Sequence, residues 1–122
     1  MKKQEVGQSL LEFVLLLVVL LPLTLGGLDL ALAVVAKAEL SSITREGARV
    51  GAVQIAGTPL DSGKIINTVF DRVVTLDESR LEVDLSGSNS WEVVVKTSYS
   101  YLPLTPFLKP LTLEYQVTMR RE

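Results

Sequence analysis

The alternation of apolar and polar positions changes rhythm three times along this chain, and each rhythm predicts a different element. From Leu10 to Leu28 there is hardly any polar punctuation: Glu12 is the only ionisable residue in 19 positions. About 20 mostly apolar residues in a helix cross roughly 30 Å of hydrocarbon, so this run predicts a membrane-spanning helix. Pro22 removes one intrahelical hydrogen bond and predicts a kink or local loosening. Gly26-Gly27 either weakens the helix or offers a flat surface to another membrane helix. Asp29 reads as the exit from hydrocarbon, yet the helical pattern continues. Ala36, Leu40, Ile43, Gly47 and Val50 recur at helical spacing, while Lys37, Glu39, Arg45, Glu46 and Arg49 fall on other faces. The prediction is one helix from about Leu10 to about Ala56, ~70 Å long at about 1.5 Å per residue.

Gly57-Thr58-Pro59 ends that helix. Asp61 or Ser62 then caps a short helix over Gly63 to Val74, with Ile66, Val69, Phe70 and Val73 on one face. Strict alternation follows. Leu81, Val83 and Leu85 oppose Glu82 and Asp84, which predicts a half-buried strand. Ser86 to Ser90 is a turn, and Trp91, Val93, Val95, Thr97, Tyr99 and Tyr101 form the inner face of a longer strand. Pro103, Pro106 and Pro110 make Leu102 to Pro110 a stiff, unpaired connection. Leu111, Leu113, Tyr115, Val117 and Met119 alternate with polar residues in a last strand. The fold class is α+β: a long N-terminal helix, membrane-spanning in its first half, packed by a short helix and an antiparallel sheet of about three strands. Gly47-Ala48-Arg49-Val50-Gly51 reads equally as a small face against the domain's own sheet or as a docking site.

Composition narrows the chemistry. With 122 residues there is room for one small domain beyond the membrane segment. The net charge of −2 provides no basic field, so nucleic acid is not expected as a partner. There is no His and no Cys, which removes the commonest zinc, haem and thiol chemistry and leaves an extracytoplasmic domain to fold without disulfides. The carboxylates are scattered, and the adjacent Asp77-Glu78 sits in a turn-like context of solvated charges. No enzyme, metal site or cofactor is expected from this pattern.

The chemistry concentrates at the N-terminus. Met1 to Val6 is polar, and Lys2 and Lys3 favour a cytoplasmic N-terminus with the C-terminal domain on the other side. Glu12 is expensive in a membrane helix, by ~2.5–3.5 kcal/mol at its centre and less near an interface, so a use for it is expected. A secretory signal peptide would offer Ala31-Leu32-Ala33 or Ala36-Lys37-Ala38 for cleavage. The apolar run is longer than a typical signal core, Glu12 interrupts it, and the helical seam runs through both sites, all of which argue against that alternative.

Gly7-Gln8-Ser9-Leu10-Leu11-Glu12-Phe13, Arg45-Glu46-Gly47-Ala48-Arg49, Tyr99-Ser100-Tyr101-Leu102-Pro103-Leu104-Thr105-Pro106 and Met119-Arg120-Arg121-Glu122 occur in that order. This pattern resembles the TadE-like pseudopilins, relatives of type IV pilin precursors. The resemblance implies a prepilin leader over 1–7, the transmembrane half of the long helix over 8–28, and an extracytoplasmic α+β domain over 29–122. It implies cleavage between Gly7 and Gln8 by a membrane prepilin peptidase acting on an extended pre-helical segment. Glu12 would become the fifth residue of the mature chain and, with Phe13, an assembly and recognition element; many relatives carry Tyr at the position of Phe13. Glu12 would then pair with the new α-amino group of another subunit, or else simply lie at headgroup depth.

The function implied is non-catalytic: a minor pilin in assembly of a Tad-type, tight-adherence pilus, serving adhesion. Its implied partners are the prepilin peptidase, other pilin-like subunits, the Tad pilus machinery and membrane lipid. Its implied location is the inner membrane as a single-pass protein, or the extracellular pilus. The alternative is an uncleaved single-pass membrane protein whose small extracytoplasmic domain acts in a secretion or envelope complex.

Overall fold

The structure is a computed structural model describing residues 2–122, with side chains from Glu5 onward. Helix α1 (Lys2–Ala52) is 51 residues long and continues through Pro22. It begins well before Leu10, because the Lys, Gln and Glu of the polar lead are good helix formers and only Gly7 opposes them. At its other end it stops short of Ala56. There the C-terminus of the chain takes over the hydrogen bonding: Glu122 N–H donates to the Ala52 carbonyl (3.0 Å) and Ala56 N–H donates to the Glu122 carbonyl (2.8 Å). Gly57 follows with φ +82°, a left-handed backbone that suits glycine, and its N–H reaches the Ser90 carbonyl at 3.0 Å.

Helix α2 (Ser62–Asp71) is capped by Asp61, whose carboxylate accepts from Lys64 N–H at 3.1 Å. It ends before Val74 because Glu39, on α1, captures the next donors. Its Oε1 accepts from Val74 N–H at 2.6 Å and Thr75 N–H at 3.0 Å, and its Oε2 accepts from the Thr75 hydroxyl. Burial raises the Glu39 pKa, but these hydrogen bonds outweigh it and the net shift is downward. The buried face of α2 is carried by Ile65 and Val69, with Phe70 half-buried beside them and Val73, just past the helix, half-buried too, so Ile65 and not Ile66 is its innermost residue at that turn.

A 3-10 turn (Glu78–Arg80), capped by Asp77, leads into a three-stranded antiparallel sheet. Strands β1 (Leu81–Asp84), β2 (Glu92–Tyr101) and β3 (Leu111–Arg120) lie in that spatial order, with Leu81 opposite Tyr99 and Val95 opposite Val117. Val93, Val95, Thr97 and Tyr99 face inward and are buried, as their alternation predicts. Trp91 is a correction: it is 63% exposed and lies just before the first paired residue of β2. Val93, the next inward residue, lies close against Gly51, and α1 ends one residue later at Ala52.

The far half of α1 crosses this sheet through two apolar clusters. One gathers Ala36, Leu40, Ile43, Val69, Leu76, Leu81 and Tyr99; the other gathers Ala48, Ile65, Val93 and Val95. Thr44 and Thr97, both buried, satisfy one another at 2.5 Å across the helix–sheet boundary. The two glycines of the small-residue segment lie inside this layer. A β-carbon on Gly47 would come within 2.6 Å of Val69 Cγ2, and one on Gly51 within 2.7 Å of Val93 Cγ1. The segment is therefore a close approach to the domain's own α2 and β2, and the docking alternative for these glycines falls away.

Candidate functional site

The first half of α1 carries the residues singled out by the sequence. Among the described residues one helix is long and apolar enough to cross a membrane; its apolar window has a mean hydropathy of 2.4, and none of that window is buried. Leu10, Phe13, Val18, Val19 and Leu23 are all at least 60% exposed. Among the described residues, nothing covers this surface. An apolar stripe this long and bare needs lipid or other helices around it, since soluble monomers seldom leave such patches in water.

Gly7, Gln8, Glu12 and Phe13 all lie on the first turns of this bare stretch. Gln8 and Glu12 are four apart, so they share a helix face about 6 Å apart along the axis. Gly7 has open space where a side chain would be, and Phe13 is 60% exposed beside Glu5, Val6, Ser9 and Leu10 in a shallow apolar groove. Among the described residues, Glu12 takes part in none of the chain's ion pairs. The four residues lie within two turns of one another near the start of the helix, open to the outside of the fold. Among the described residues, no three acidic side chains come together in a metal-binding group.

Asp29 has a role its sequence context does not announce. It is 1% exposed, because the loop between β2 and β3 folds over it. Leu104 N–H donates to Oδ1 at 2.7 Å, while Thr105 N–H and its hydroxyl donate to Oδ2 at 3.0 and 2.6 Å. The Tyr101 hydroxyl donates to the Asp29 main-chain carbonyl at 3.3 Å. The Thr105 hydroxyl is the leading cause that holds the Asp29 carboxyl below its ordinary value, with burial opposing and the two amides assisting. Burial and the neighbouring Asp29 charge push the Tyr101 phenol upward. A carboxylate met by three donors is stable out of water, so Asp29 fixes the loop to the point where the bare half of α1 ends. The partners lie 76 residues apart, a pairing that no local spacing could signal.

At the far end, the penultimate Arg121 is buried and donates to the Ile55 carbonyl at 2.8 Å. With the Glu122 main-chain bonds it closes the domain beyond Ala52, which gives Arg121 and Glu122 a structural role.

Residues 7–49 match the model of a family described as TadE-like protein. The match begins at Gly7, takes in the bare stretch from there to Val35 and ends at Arg49, within the packed half of α1. No curated protein and no solved structure matches the chain.

Proposed function

We propose, from the similarity of residues 7–49 to TadE-like proteins, that this chain is a minor pilin or pseudopilin in assembly of a Tad-type pilus. In this reading residues 1–7 are a prepilin leader removed after Gly7, residues 8–28 anchor the subunit in the inner membrane, and the domain from Asp29 onward lies outside the cytoplasm. The observation that carries it is one helix whose first half is bare and apolar and whose second half is the spine of a small domain. That division suits a subunit held first by lipid and then by neighbouring pilin-like helices.

Gly7 and Gln8 form the cleavage site, and Glu12 with Phe13 forms the assembly element. The peptide bond after Gly7 is helical here, so a peptidase that takes an extended segment must first unwind the start of α1. Glycine in a helix interior costs about 0.5–1 kcal/mol relative to Ala, which makes Gly7 the local weak point. After cleavage, the new amine on Gln8 supplies a positive charge, and Glu12 of an adjoining subunit can neutralise it in an apolar surrounding. The protein acts as a structural subunit. Its partners are the peptidase, other pilin-like subunits and the pilus machinery.

N-terminal sequencing of protein isolated from membranes, with and without an active prepilin peptidase, tests this reading. Gln8 should be the first residue only when the peptidase is active, and Gly7→Leu should accumulate as precursor. Met1 or Lys2 retained under both conditions would favour the uncleaved single-pass alternative. A reporter fused after Glu122 should be extracytoplasmic; a cytoplasmic signal would reverse the orientation.

A further inference from the structure

We propose that the loop Leu102–Pro110 is a second membrane contact, lying in the outer interface of the bilayer beside the exit of α1. The proposal rests on α1 crossing a membrane, and is independent of cleavage and pilus assembly. Its first support is position. Asp29 directly follows the apolar run, and its carboxylate holds Leu104 and Thr105 at that level of the helix. Its second support is exposure. Thr105 is buried against Asp29, while Leu104 is 67% and Phe107 75% exposed, with Leu102 and Leu108 also open. A soluble domain would turn such residues inward. Here they stay open on the loop that is tied to the end of the apolar run.

The apolar helix surface also runs past Asp29. Leu30, Leu32, Val34 and Val35 remain exposed, and Val35 stands about 9 Å beyond Asp29 along the axis. Because Asp29 is covered and met by three donors, it presents no bare charge to lipid, and so does not set the boundary of the apolar surface. Leu10 to Leu28 is 19 residues, ~28 Å of helix, which matches roughly 30 Å of hydrocarbon and leaves Asp29 and the apolar turns after it in the interfacial layer. Apolar side chains at an interface lie ~5–10 Å into the headgroup–acyl boundary, the depth expected of a loop held beside the exit of the helix.

The chemistry favours lipid over a protein partner. From Leu102 to Leu113 there is no acidic residue, and the single charge is Lys109, exposed and suited to anionic headgroups. Pro103, Pro106 and Pro110 lack N–H groups, so the loop is a poor edge for another chain to extend. A second exposed apolar group, Val53, Ile55 and Trp91, has charged neighbours instead. It lies near the far end of α1, ~36 Å from Asp29, where Arg49, Asp61 and Lys64 line the adjoining groove.

Tryptophan placement in the full-length protein, in vesicles of phosphatidylethanolamine and phosphatidylglycerol, tests the proposal. The chain has one tryptophan, the exposed Trp91, so Trp91→Phe gives a silent background for Phe107→Trp. Both positions are largely exposed, and neither change should disturb packing. With brominated acyl chains, emission from position 107 should fall about two-fold or more, since the ring sits at the acyl boundary. Native Trp91 should stay bright, and Val18→Trp in the same background reports the span itself. Quenching at 18 without quenching at 107 overturns the loop contact and leaves the span intact. Absence of quenching at both overturns the span reading and the loop with it. A blue shift at 107 that rises with protein density and ignores bromine would assign the loop to another protein surface, and would also overturn the proposal.

Discussion

One helix contains two environments, and the contrast between its halves explains most of the molecule. From Val6 to Val35 the described side chains of α1 are mostly exposed, except that Asp29 is buried under its loop and Leu17, Gly26 and Ala33 are partly covered. From Ala36 onward Ala36, Leu40, Ile43, Thr44, Gly47, Ala48 and Gly51 are buried, and charges occupy the opposite side. The first half has no preferred face: it is apolar all round, as suits a helix surrounded by lipid or other apolar helices. The second half has one face because it meets a sheet on one side and water on the other. Helix propensity alone would not separate them; what surrounds each half does.

The largest expected effect lies in the bare half and acts on assembly. If Glu12 pairs with a neighbour's amine, Glu12→Leu leaves that amine unpaired in an apolar setting, at a cost of ~3–5 kcal/mol by analogy with broken buried ion pairs. Cleavage after Gly7 should continue, while co-purification with other pilin-like subunits falls at matched expression. If Glu12 only lies at headgroup depth, the same change removes a desolvation cost and partner recovery is undiminished. That second outcome would retire the assembly role for the acid.

The next effect separates the halves on folding. Leu40 is fully buried between α1 and the sheet, so Leu40→Ala should destabilise the domain by ~2–5 kcal/mol. Leu20 is 44% exposed, and Leu20→Ala should leave the domain's unfolding midpoint unchanged in detergent. Urea titration read by near-ultraviolet circular dichroism checks both. Equal losses for the two variants would mean that the bare half also packs against the domain.

Glycines sharpen the same comparison at smaller magnitude. A side chain at Gly47 collides with Val69 and meets Ile65, whereas Gly27 has open space around it. Gly47→Leu should therefore cost about 1–3 kcal/mol of domain stability through overpacking. Gly27→Leu should cost the domain nothing and strengthen the helix locally. A loss of partner co-purification with Gly27→Leu, at unchanged domain stability, would identify Gly27 as a close approach to another membrane helix.

Much of this architecture was legible because periodicity is local. The alternation of β3 and the seam of α1 each follow from residues a few positions apart, and the structure has both. The ends of elements were less legible, because distant groups set them: Glu39 takes the donors after α2, and Glu122 takes those after α1. Trp91 has the parity of a core residue but no facing neighbour, and parity cannot report where the opposite layer stops. At the N-terminus, Gly7 and Glu12 stood out as anomalies within an apolar helix, and they share one end of it. The Asp29 clamp stayed hidden, since an acid at the end of an apolar run reads as an exit to water when its donors are 75 and 76 residues away.

That clamp joins the two environments, and its titration gives the smallest expected effect. The folded-state pKa of Asp29 lies below the ordinary carboxyl value of 3.8, chiefly through the Thr105 hydroxyl. The ionised form is therefore favoured in the fold. Its contribution is fully present above the ordinary value and is lost as pH falls through the depressed folded value. Lowering the pH into that window should release the loop while the sheet persists, seen as faster hydrogen exchange at the Leu104 and Thr105 amides. Glu39, Asp77 and Asp84 are shifted downward too and add to a global acid transition, so the local amide readout is needed to isolate Asp29. Asp29→Asn keeps one acceptor oxygen but has no charge to lose. It should exchange faster than the parent at neutral pH and show no further acid-dependent release at these two amides. An Asp29→Asn protein whose loop still loosens on acidification at the parent's midpoint would assign the titration to another carboxyl, and the junction between bare and packed helix would then not depend on Asp29.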